Sequence, residues 1–254
     1  MRNDPTDPEP LSKVPAVTLS FWILKIAATT LGETGGDAVS MSMNLGYLVA
    51  TGIFAVIFML AVAAQIAAKR FHPYLYWATI IATTTVGTTL ADFADRSLGI
   101  GYAGGSTLLL ALLLASLLVW KRTLGSVSIN TVSSPKAEMF YWMTIMFSQT
   151  LGTALGDWMA DDAGFGYAGS AVVFGAALAL VAAAYFWTRI SRTVLFWAAF
   201  VLTRPLGAVL GDLLDKPVSA GGFALSRYWA SGVLLVFIVV CIPLFRPRAA
   251  TAHH

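Results

Sequence analysis

Apolar residues dominate eight long segments of the chain, and short polar or charged stretches separate them. Each segment is long enough to cross a hydrocarbon core of about 30 Å as an α-helix. The segments are residues 17–38, 43–68, 73–94, 102–120, 138–159, 166–188, 193–214 and 223–245. This pattern predicts an all-α membrane protein with eight transmembrane helices.

A four-fold internal repeat underlies the eight segments. In each repeat a Trp is followed by Gly at the tenth position, by Gly or Ala at the fourteenth and by Asp at the fifteenth. The four Trp–Asp pairs are Trp22 and Asp37, Trp77 and Asp92, Trp142 and Asp157, and Trp197 and Asp212. Because each repeat holds two segments, successive repeats enter the membrane in the same direction. Parallel repeats imply a pseudo-symmetry axis along the membrane normal.

The spacing of the repeats divides the chain into two halves, since the Trp-to-Trp separations are 55, 65 and 55 residues. We expect a disordered cytoplasmic tail, two repeats, a polar cytoplasmic linker, two further repeats and a short tail. Their bounds are 1–15, 16–122, 123–135, 136–246 and 247–254. The Asp–Pro steps and polar composition of the first residues predict the disorder.

Two small residues lie four positions apart on the first helix of each repeat, here called the odd helix. Small residues at this spacing let helix backbones approach closely within a membrane. The pairs are Gly32 and Gly36, Gly87 and Ala91, Gly152 and Gly156, and Gly207 and Gly211. The odd helices are therefore expected at the centre of the bundle, with the even helices facing lipid.

A polar stripe accompanies the small residues on the odd helices. Its members recur at positions i, i+3 and i+7, so they share one helix face. They are Thr30, Glu33 and Asp37; Thr85, Thr88 and Asp92; Thr150, Thr153 and Asp157; and, in the fourth repeat, Asp212 alone. Four carboxylates at equal depth around an axis form an acidic ring, which needs a cation, a proton or a water-filled path. The alternative is that these residues are hydrated helix ends.

Two cations, Lys25 and Arg204, lie inside the predicted spans. Each is a candidate internal counter-ion for Glu33 or another carboxylate when the site is empty. Lys25 has a second interpretation, because its long side chain can extend to the membrane interface. Pro205 follows Arg204 and predicts a freed backbone carbonyl or a kink in the seventh helix.

The loop charges predict the orientation of the helices. Eleven of the sixteen Lys and Arg residues lie in the tails and in the connections from an even helix to the next odd helix. Nine of the thirteen Asp and Glu residues lie at the opposite ends. Positive charge favours the cytoplasmic side, so both termini are expected in the cytoplasm.

The remaining composition restricts the kinds of binding and catalytic site that the chain can form. The chain is 57% hydrophobic and 11% charged, with one Cys and three His residues. It therefore offers no disulfide and no His- or Cys-based metal site within the membrane. It also lacks a phosphate-binding G-x-x-x-x-G-K-[ST] motif, and its net charge of +3 indicates no nucleic-acid partner. The Gly-x-Gly-Asp signature of membrane aspartyl proteases is absent, so no enzymatic activity is predicted.

Four tandem two-helix units, each with a leading Trp and a G-x-x-x-[GA]-D ending, resemble a bacterial family of uncharacterised membrane proteins. That family is described as four tandem repeats of unknown function. The resemblance covers residues 18–245. It implies a multi-pass protein of the bacterial inner membrane and brings no established chemistry.

The carboxylates favour cation transport as the function. Oxygen ligands suit Mn, Mg or Ca better than Zn or Cu, so the expected substrate is a divalent metal such as Mn. The candidate cation-binding or proton-coupling residues are Asp37, Asp92, Asp157, Asp212 and Glu33. A bound divalent cation is the one cofactor considered. The alternatives are an organic cation held by aromatic side chains and a non-transporting membrane scaffold. The expected partners are the lipid bilayer and the cation, with a homo-oligomer left open.

Overall fold

The computed structural model describes residues 12–250, and within this range the chain forms eight α-helices and no strand. The helices are α1 (Leu19–Asp37), α2 (Gly46–Ala67), α3 (Pro73–Asp92), α4 (Tyr102–Leu124), α5 (Pro135–Asp157), α6 (Gly166–Trp187), α7 (Arg192–Asp215) and α8 (Arg227–Phe245). They coincide closely with the eight predicted segments, so the all-α prediction is confirmed.

Five helices are long and apolar enough to cross a membrane, namely α2, α4, α6, α7 and α8. They indicate a membrane protein. The other three, α1, α3 and α5, are rich in Thr and Gly. Their lower hydropathy follows from their position, because most of their side chains are buried against other helices.

The four odd helices form a closed ring in which α1 contacts α3, α3 contacts α5, α5 contacts α7, and α7 contacts α1. Each even helix packs outside this ring against the next odd helix in the chain, and α8 returns to pack against α1. The even helices bury few side chains; α2, for example, buries only Ala50 and Gln65. The odd helices therefore make the core, and the even helices present apolar surface outward.

A row of residues spaced four apart runs along the inner face of each odd helix. Each row begins one residue before the repeat Trp and ends at the repeat Asp, and all of its side chains are buried. The rows are Phe21, Lys25, Thr29, Glu33 and Asp37; Tyr76, Ile80, Thr84, Thr88 and Asp92; Tyr141, Ile145, Gln149, Thr153 and Asp157; and Phe196, Phe200, Arg204, Ala208 and Asp212.

Aligned by repeat position, the rows define five layers stacked along the bundle axis, about 6 Å apart for a four-residue helical step. We call them the aromatic, lysine, arginine, glutamate and aspartate layers, after Tyr76, Lys25, Arg204, Glu33 and Asp37 respectively. The aromatic layer lies at the Trp end of the bundle, where the hydroxyls of Tyr76 and Tyr141 are 2.6 Å apart. The aspartate layer lies at the opposite end, called the Asp end.

The glycines of the odd helices allow the ring to close. A Cβ atom added at any of four of them would lie 3.0 Å or less from the next odd helix in the ring. The four contacts are Gly32 with Thr84, Gly87 with Gln149, Gly152 with Arg204, and Gly207 with Thr29. Gly36, Gly156 and Gly211 also face the next odd helix, one turn farther toward the Asp end. Glycine is thus required sterically at the closest backbone approaches.

Each repeat turns back toward its even helix just beyond the Asp. In the first three repeats the odd helix continues as a five-residue π-helical turn. A glycine that recurs twenty-four residues after each Trp then adopts a positive φ, between 63° and 87°. These residues are Gly46, Gly101, Gly166 and Gly221. The left-handed backbone explains the recurrence, because residues with a Cβ atom rarely adopt it.

The first and last described residues meet at the Trp end. Pro15 and Ala249 form an isolated antiparallel bridge. Val14 is buried in the same apolar cluster as Ile129 of the linker, and Ser12 donates to the carbonyl of Ile129. The linker itself contains a short 3₁₀ turn, Ile129–Thr131. Both the linker and the chain ends therefore pack against the bundle.

An ion pair also fixes the N-terminal residues. Lys13 Nζ lies 2.6 Å from Glu138 Oε1 and donates to the carbonyls of Gln65 and Ile66 at the end of α2. Residues 12–15 are thus not part of a disordered tail, because burial and this ion pair hold them in place. The other predicted tail residues, 1–11 and 251–254, lie outside the described residues.

Candidate functional site

The four repeat aspartates converge at the Asp end as two cation-bridged pairs. Arg96, in the turn after α3, bridges the first pair: its Nε lies 2.9 Å from Asp92 Oδ1 and its Nη2 lies 3.3 Å from Asp157 Oδ2. Both carboxylates are buried, whereas the Arg96 side chain is 32% exposed. Arg96 therefore forms the outer edge of this half of the site.

Lys216, in the turn after α7, bridges the second pair. Its Nζ lies 2.7 Å from Asp37 Oδ2 and 3.1 Å from Asp212 Oδ1. Because α3 and α7 do not neighbour each other in the ring, the two bridging cations enter from opposite sides. The sequence left open whether the aspartates form one site or two, and the geometry shows two bridged pairs.

Glu33 lies one layer closer to the Trp end than the aspartates, and its carboxylate is close to both pairs. Three sets of three buried carboxylates each offer oxygen atoms that lie within 4.8 Å of one another. The sets are Glu33, Asp157 and Asp212; Glu33, Asp37 and Asp92; and Asp37, Asp212 and Asp215. Oxygen-only ligand sets of this kind suit hard divalent cations. Among residues 12–250, these carboxylates are placed to hold a metal ion.

Glu33 and the four repeat aspartates are here called the acidic cluster. Two further residues, Asp215 and Arg227, lie next to it at the Asp end. Arg227, the first residue of α8, lies 3.1 Å from Asp215 and 3.7 Å from Asp37. Neither residue is among the site residues predicted from the sequence. Burial of Asp215 at the end of α7 and closure of α8 against α1 bring them next to the cluster.

Electrostatics hold the two bridging cations in the charged form. Burial alone would lower the pKa of Lys216, but Asp212 and Asp37 more than offset this effect and raise the pKa well above its usual value. Burial likewise opposes protonation of Arg96, while Asp92 and Asp157 raise its pKa. Both side chains therefore carry a positive charge against the aspartate layer at neutral pH.

Arg204 occupies the centre of the bundle. Its Nη2 atom lies 3.1 Å from Glu33 Oε2 on α1, 2.6 Å from Thr88 Oγ1 on α3 and 2.5 Å from Thr153 Oγ1 on α5. One side chain of α7 thus reaches all three other helices of the ring. The geometry places Arg204 beside Glu33, one of the carboxylates for which it was a candidate counter-ion.

Lys25 differs from Arg204 because it has no carboxylate partner among residues 12–250. Its Nζ atom lies 4.2 Å from the ring centre of Phe200 and 3.4 Å from Gln149 Oε1 on α5. The residue is fully buried, so it does not extend to the membrane interface. The counter-ion role suggested by the sequence is therefore not realised, since the acids lie nearer the Asp end.

The predicted threonine stripe divides into two groups. Thr88 and Thr153 lie on the inner rows and contact Arg204. The other three hydroxyls donate to carbonyls of their own helices, four residues earlier; these residues are Thr30, Thr85 and Thr150. The inner row has a step of four residues throughout, so on α1 it includes Thr29 and not Thr30.

The two bridging cations are not among the residues predicted from the sequence, although the repeat pattern contains a signal for them. Arg96 and Lys216 occupy the same repeat position, nineteen residues after the Trp and four after the Asp. Repeats 1 and 3 have Met41 and Asp161 there. A cation one helical turn beyond an acid is placed to pair with it, so comparison of the aligned repeats would have identified both.

Comparison with known proteins supports the repeat and supplies no activity. A family model described as a repeat of unknown function, DUF347, matches four segments of the chain. The matched segments are residues 20–71, 75–126, 140–191 and 195–245. These matches confirm the four tandem repeats deduced from the Trp and Asp positions. No curated protein and no solved structure matches the chain.

Proposed function

The chain belongs to the DUF347 family of repeats of unknown function, and from the geometry of its acidic cluster we propose that it transports a divalent cation, such as Mn, across a membrane. The observation that carries this proposal is the convergence of five buried carboxylates from four separate helices. They are Glu33, Asp37, Asp92, Asp157 and Asp212.

The cost of burying these groups supports a functional explanation. Burying a carboxylate costs folding free energy unless a cation or hydrogen bonds compensate its charge. Helix packing by itself does not require a carboxylate in every repeat. Glu33, Asp157 and Asp212 offer oxygen atoms close enough to share one ion, and so do Glu33, Asp37 and Asp92. Mn²⁺, Mg²⁺ and Ca²⁺ accept such ligands readily.

The bridging cations suggest how a carrier binds and releases its substrate. Arg96 and Lys216 place two positive charges among the aspartates, the same charge as one divalent ion. A metal ion that displaces both side chains leaves the net charge of the layer unchanged. Both cations lie in turns beyond the helices, where movement disturbs helix packing least. In this mechanism they occupy the site whenever the substrate has left.

We further propose that all eight helices cross the bilayer, with the bundle axis along the membrane normal. The even helices surround the less apolar α1, α3 and α5, which explains why these contain Thr and Gly inside a membrane. Both described chain ends lie at the Trp end, together with most loop Lys and Arg residues. The Trp end then faces the cytoplasm of a bacterium, and the protein lies in its inner membrane.

Orientation has a direct test, because the chain contains a single cysteine, Cys241. In a Cys241→Ser background, one new cysteine is introduced at exposed Asp162 at the Asp end, or at exposed Thr123 at the Trp end. A membrane-impermeant maleimide added to intact cells should label Asp162→Cys and not Thr123→Cys. Labelling of Thr123→Cys alone would reverse the proposed orientation.

Transport is tested with purified protein in liposomes that contain a metal-sensitive dye. We expect uptake of Mn²⁺ by the wild type and its loss in Asp157→Asn. Asp161→Asn is the matched control, because Asp161 is an exposed carboxylate at the same end of the bundle. Equal flux in the two variants would exclude the aspartate layer as the site. Movement of an organic cation alone would support that alternative substrate, and absence of any flux would support a scaffold.

A further inference from the structure

The middle of the bundle is rich in buried hydrogen-bond donors and poor in acceptors. Nε and Nη1 of Arg204 and Nε2 of Gln149 have no hydrogen-bond partner among residues 12–250, although both side chains are fully buried. Thr84 Oγ1 also has none. Lys25 Nζ has one acceptor, Gln149 Oε1, at 3.4 Å.

Unsatisfied donors of this kind need an explanation. A buried N–H group without an acceptor loses its hydrogen bonds to water and destabilises the fold, and native structures contain few of them. Here several lie in the adjacent lysine and arginine layers, and the donors belong to a lysine amino group, an amide and a guanidinium. The shared deficiency is a hydrogen-bond acceptor.

Basic side chains outnumber acidic ones in this region. Arg204 pairs with Glu33 through Nη2 alone, and Lys25 places a second basic side chain in the next layer, against the ring of Phe200. The aspartate layer lies about 12 Å from the arginine layer, at two helical steps of four residues. A buried cation without a nearby counter-charge is strongly unfavourable. The deficiency is therefore an acceptor that carries negative charge.

We propose that the arginine and lysine layers bind a small monovalent anion of the halide class, such as chloride. Each helix of the ring supplies one candidate ligand from these two layers: Lys25 from α1, Thr84 from α3, Gln149 from α5 and Arg204 from α7. The surrounding ring is closely packed, since even a methyl group added at Gly152 would overlap the Arg204 side chain, and close packing favours a small anion over a bulky oxyanion. A halide accepts hydrogen bonds from every direction and has no donors of its own, so it matches this donor set.

The anion site lies on the same axis as the acidic cluster and meets it at the Glu33–Arg204 pair. It does not depend on cation transport, since none of its four ligands belongs to the aspartate layer. The bundle then has a negatively charged half at the Asp end and a positively charged half below it. Failure of the metal flux assay would leave this site untouched.

The first test is the thermal stability of the purified protein in chloride compared with gluconate, which is too large for the site. We expect a saturable rise of several degrees in the unfolding temperature with chloride or bromide and none with gluconate. Lys25→Met should abolish the dependence on halide. Lys69→Met, an exposed lysine at the Trp end, should retain it. Equal stability in chloride and gluconate, or an unchanged response in Lys25→Met, would overturn the proposal.

Two further measurements keep the proposal testable if Lys25→Met fails to fold. Gln149→Glu places a carboxylate among the same donors, so it should remove the response to halide and raise stability in gluconate. Crystals of the wild type grown with bromide should show an anomalous scattering peak beside Gln149 and Arg204. Absence of that peak, with water molecules there instead, would show that solvent satisfies the donors and that no anion binds.

Discussion

Arg204 on α7 donates a hydrogen bond from Nη2 to Glu33 Oε2 on α1 at 3.1 Å, and both side chains are buried at the centre of the bundle. The same nitrogen contacts the hydroxyls of Thr88 and Thr153. This pair lies at the boundary between the acidic cluster and the donor-rich arginine and lysine layers. Arg204 belongs to the fourth repeat, and each of the other three repeats contacts it through one side chain. These side chains are Glu33, Thr88 and Thr153.

The Arg204–Glu33 pair is expected to act as a unit in folding. Arg204→Gln should destabilise the protein by about 3–5 kcal/mol, because it leaves Glu33 as a buried charge without its partner. The double variant Glu33→Gln/Arg204→Gln should recover a large part of that loss, since neither charge remains. Unfolding of purified protein in detergent measures both. Arg122→Gln, at an exposed position, is the control, and a double variant no more stable than Arg204→Gln would contradict the pairing.

Close helix packing predicts a contrast between two glycines. At Gly152 an added methyl group would overlap the side chain of Arg204, so Gly152→Ala should destabilise the fold by about 1–3 kcal/mol. At Gly175, on the outer helix α6, no atom of the described part of the chain lies within 4 Å of an added methyl group. Gly175→Ala should be neutral or stabilising by up to about 1 kcal/mol. Thermal unfolding compares the two, and similar effects at both sites would contradict the role of Gly152 in ring closure.

Much of this architecture could be predicted from the repeat. Four copies of the Trp, Gly and Asp pattern indicate four two-helix units, and the small residues place the odd helices inside. The apolar composition of the other helices places them outside. These properties depend on composition and spacing within one helix, and both can be read directly from the sequence. The eight helices and the central ring follow from them.

The details of the site depended on contacts between helices. A row with a step of four residues remains on the bundle axis only if the helices cross, and crossing angles result from packing between surfaces. Spacing alone therefore favoured Thr30 over Thr29 as the inner residue. The aligned repeats mark Arg96 and Lys216 as partners of the Asp one turn earlier, but each also reaches a carboxylate on a neighbouring helix, which spacing within one helix does not show.

The N-terminal ion pair predicts that the chain before α1 contributes to stability. Lys13→Met should destabilise the protein by about 3 kcal/mol, since it leaves the buried Glu138 without its cation. Two carbonyls at the end of α2 also lose their donor. Lys136→Met is the matched control, because Lys136 lies two residues from Glu138 and is exposed. If thermal unfolding and protease resistance are the same in both variants, the ion pair has no structural role.

The bridging lysine provides the sharpest link between stability and the proposed cation site. Lys216→Gln removes the charge between Asp37 and Asp212, so in metal-free buffer it should destabilise the protein by about 3 kcal/mol. Added Mn²⁺ should then stabilise this variant more than the wild type, because the ion enters a site that no side chain has to leave. Thermal unfolding with chelator and with millimolar Mn²⁺ measures the difference.

Lys69→Gln serves as the control for Lys216→Gln, because Lys69 is an exposed lysine at the opposite end of the bundle. It should unfold like the wild type with and without metal. Adding Asp212→Asn to Lys216→Gln should reduce the Mn²⁺ response, since one of the metal ligands is then lost. An equal response to Mn²⁺ in the wild type and in Lys216→Gln would mean that Lys216 and the metal do not compete. Displacement of the resident cations would then fail as the mechanism of substrate binding.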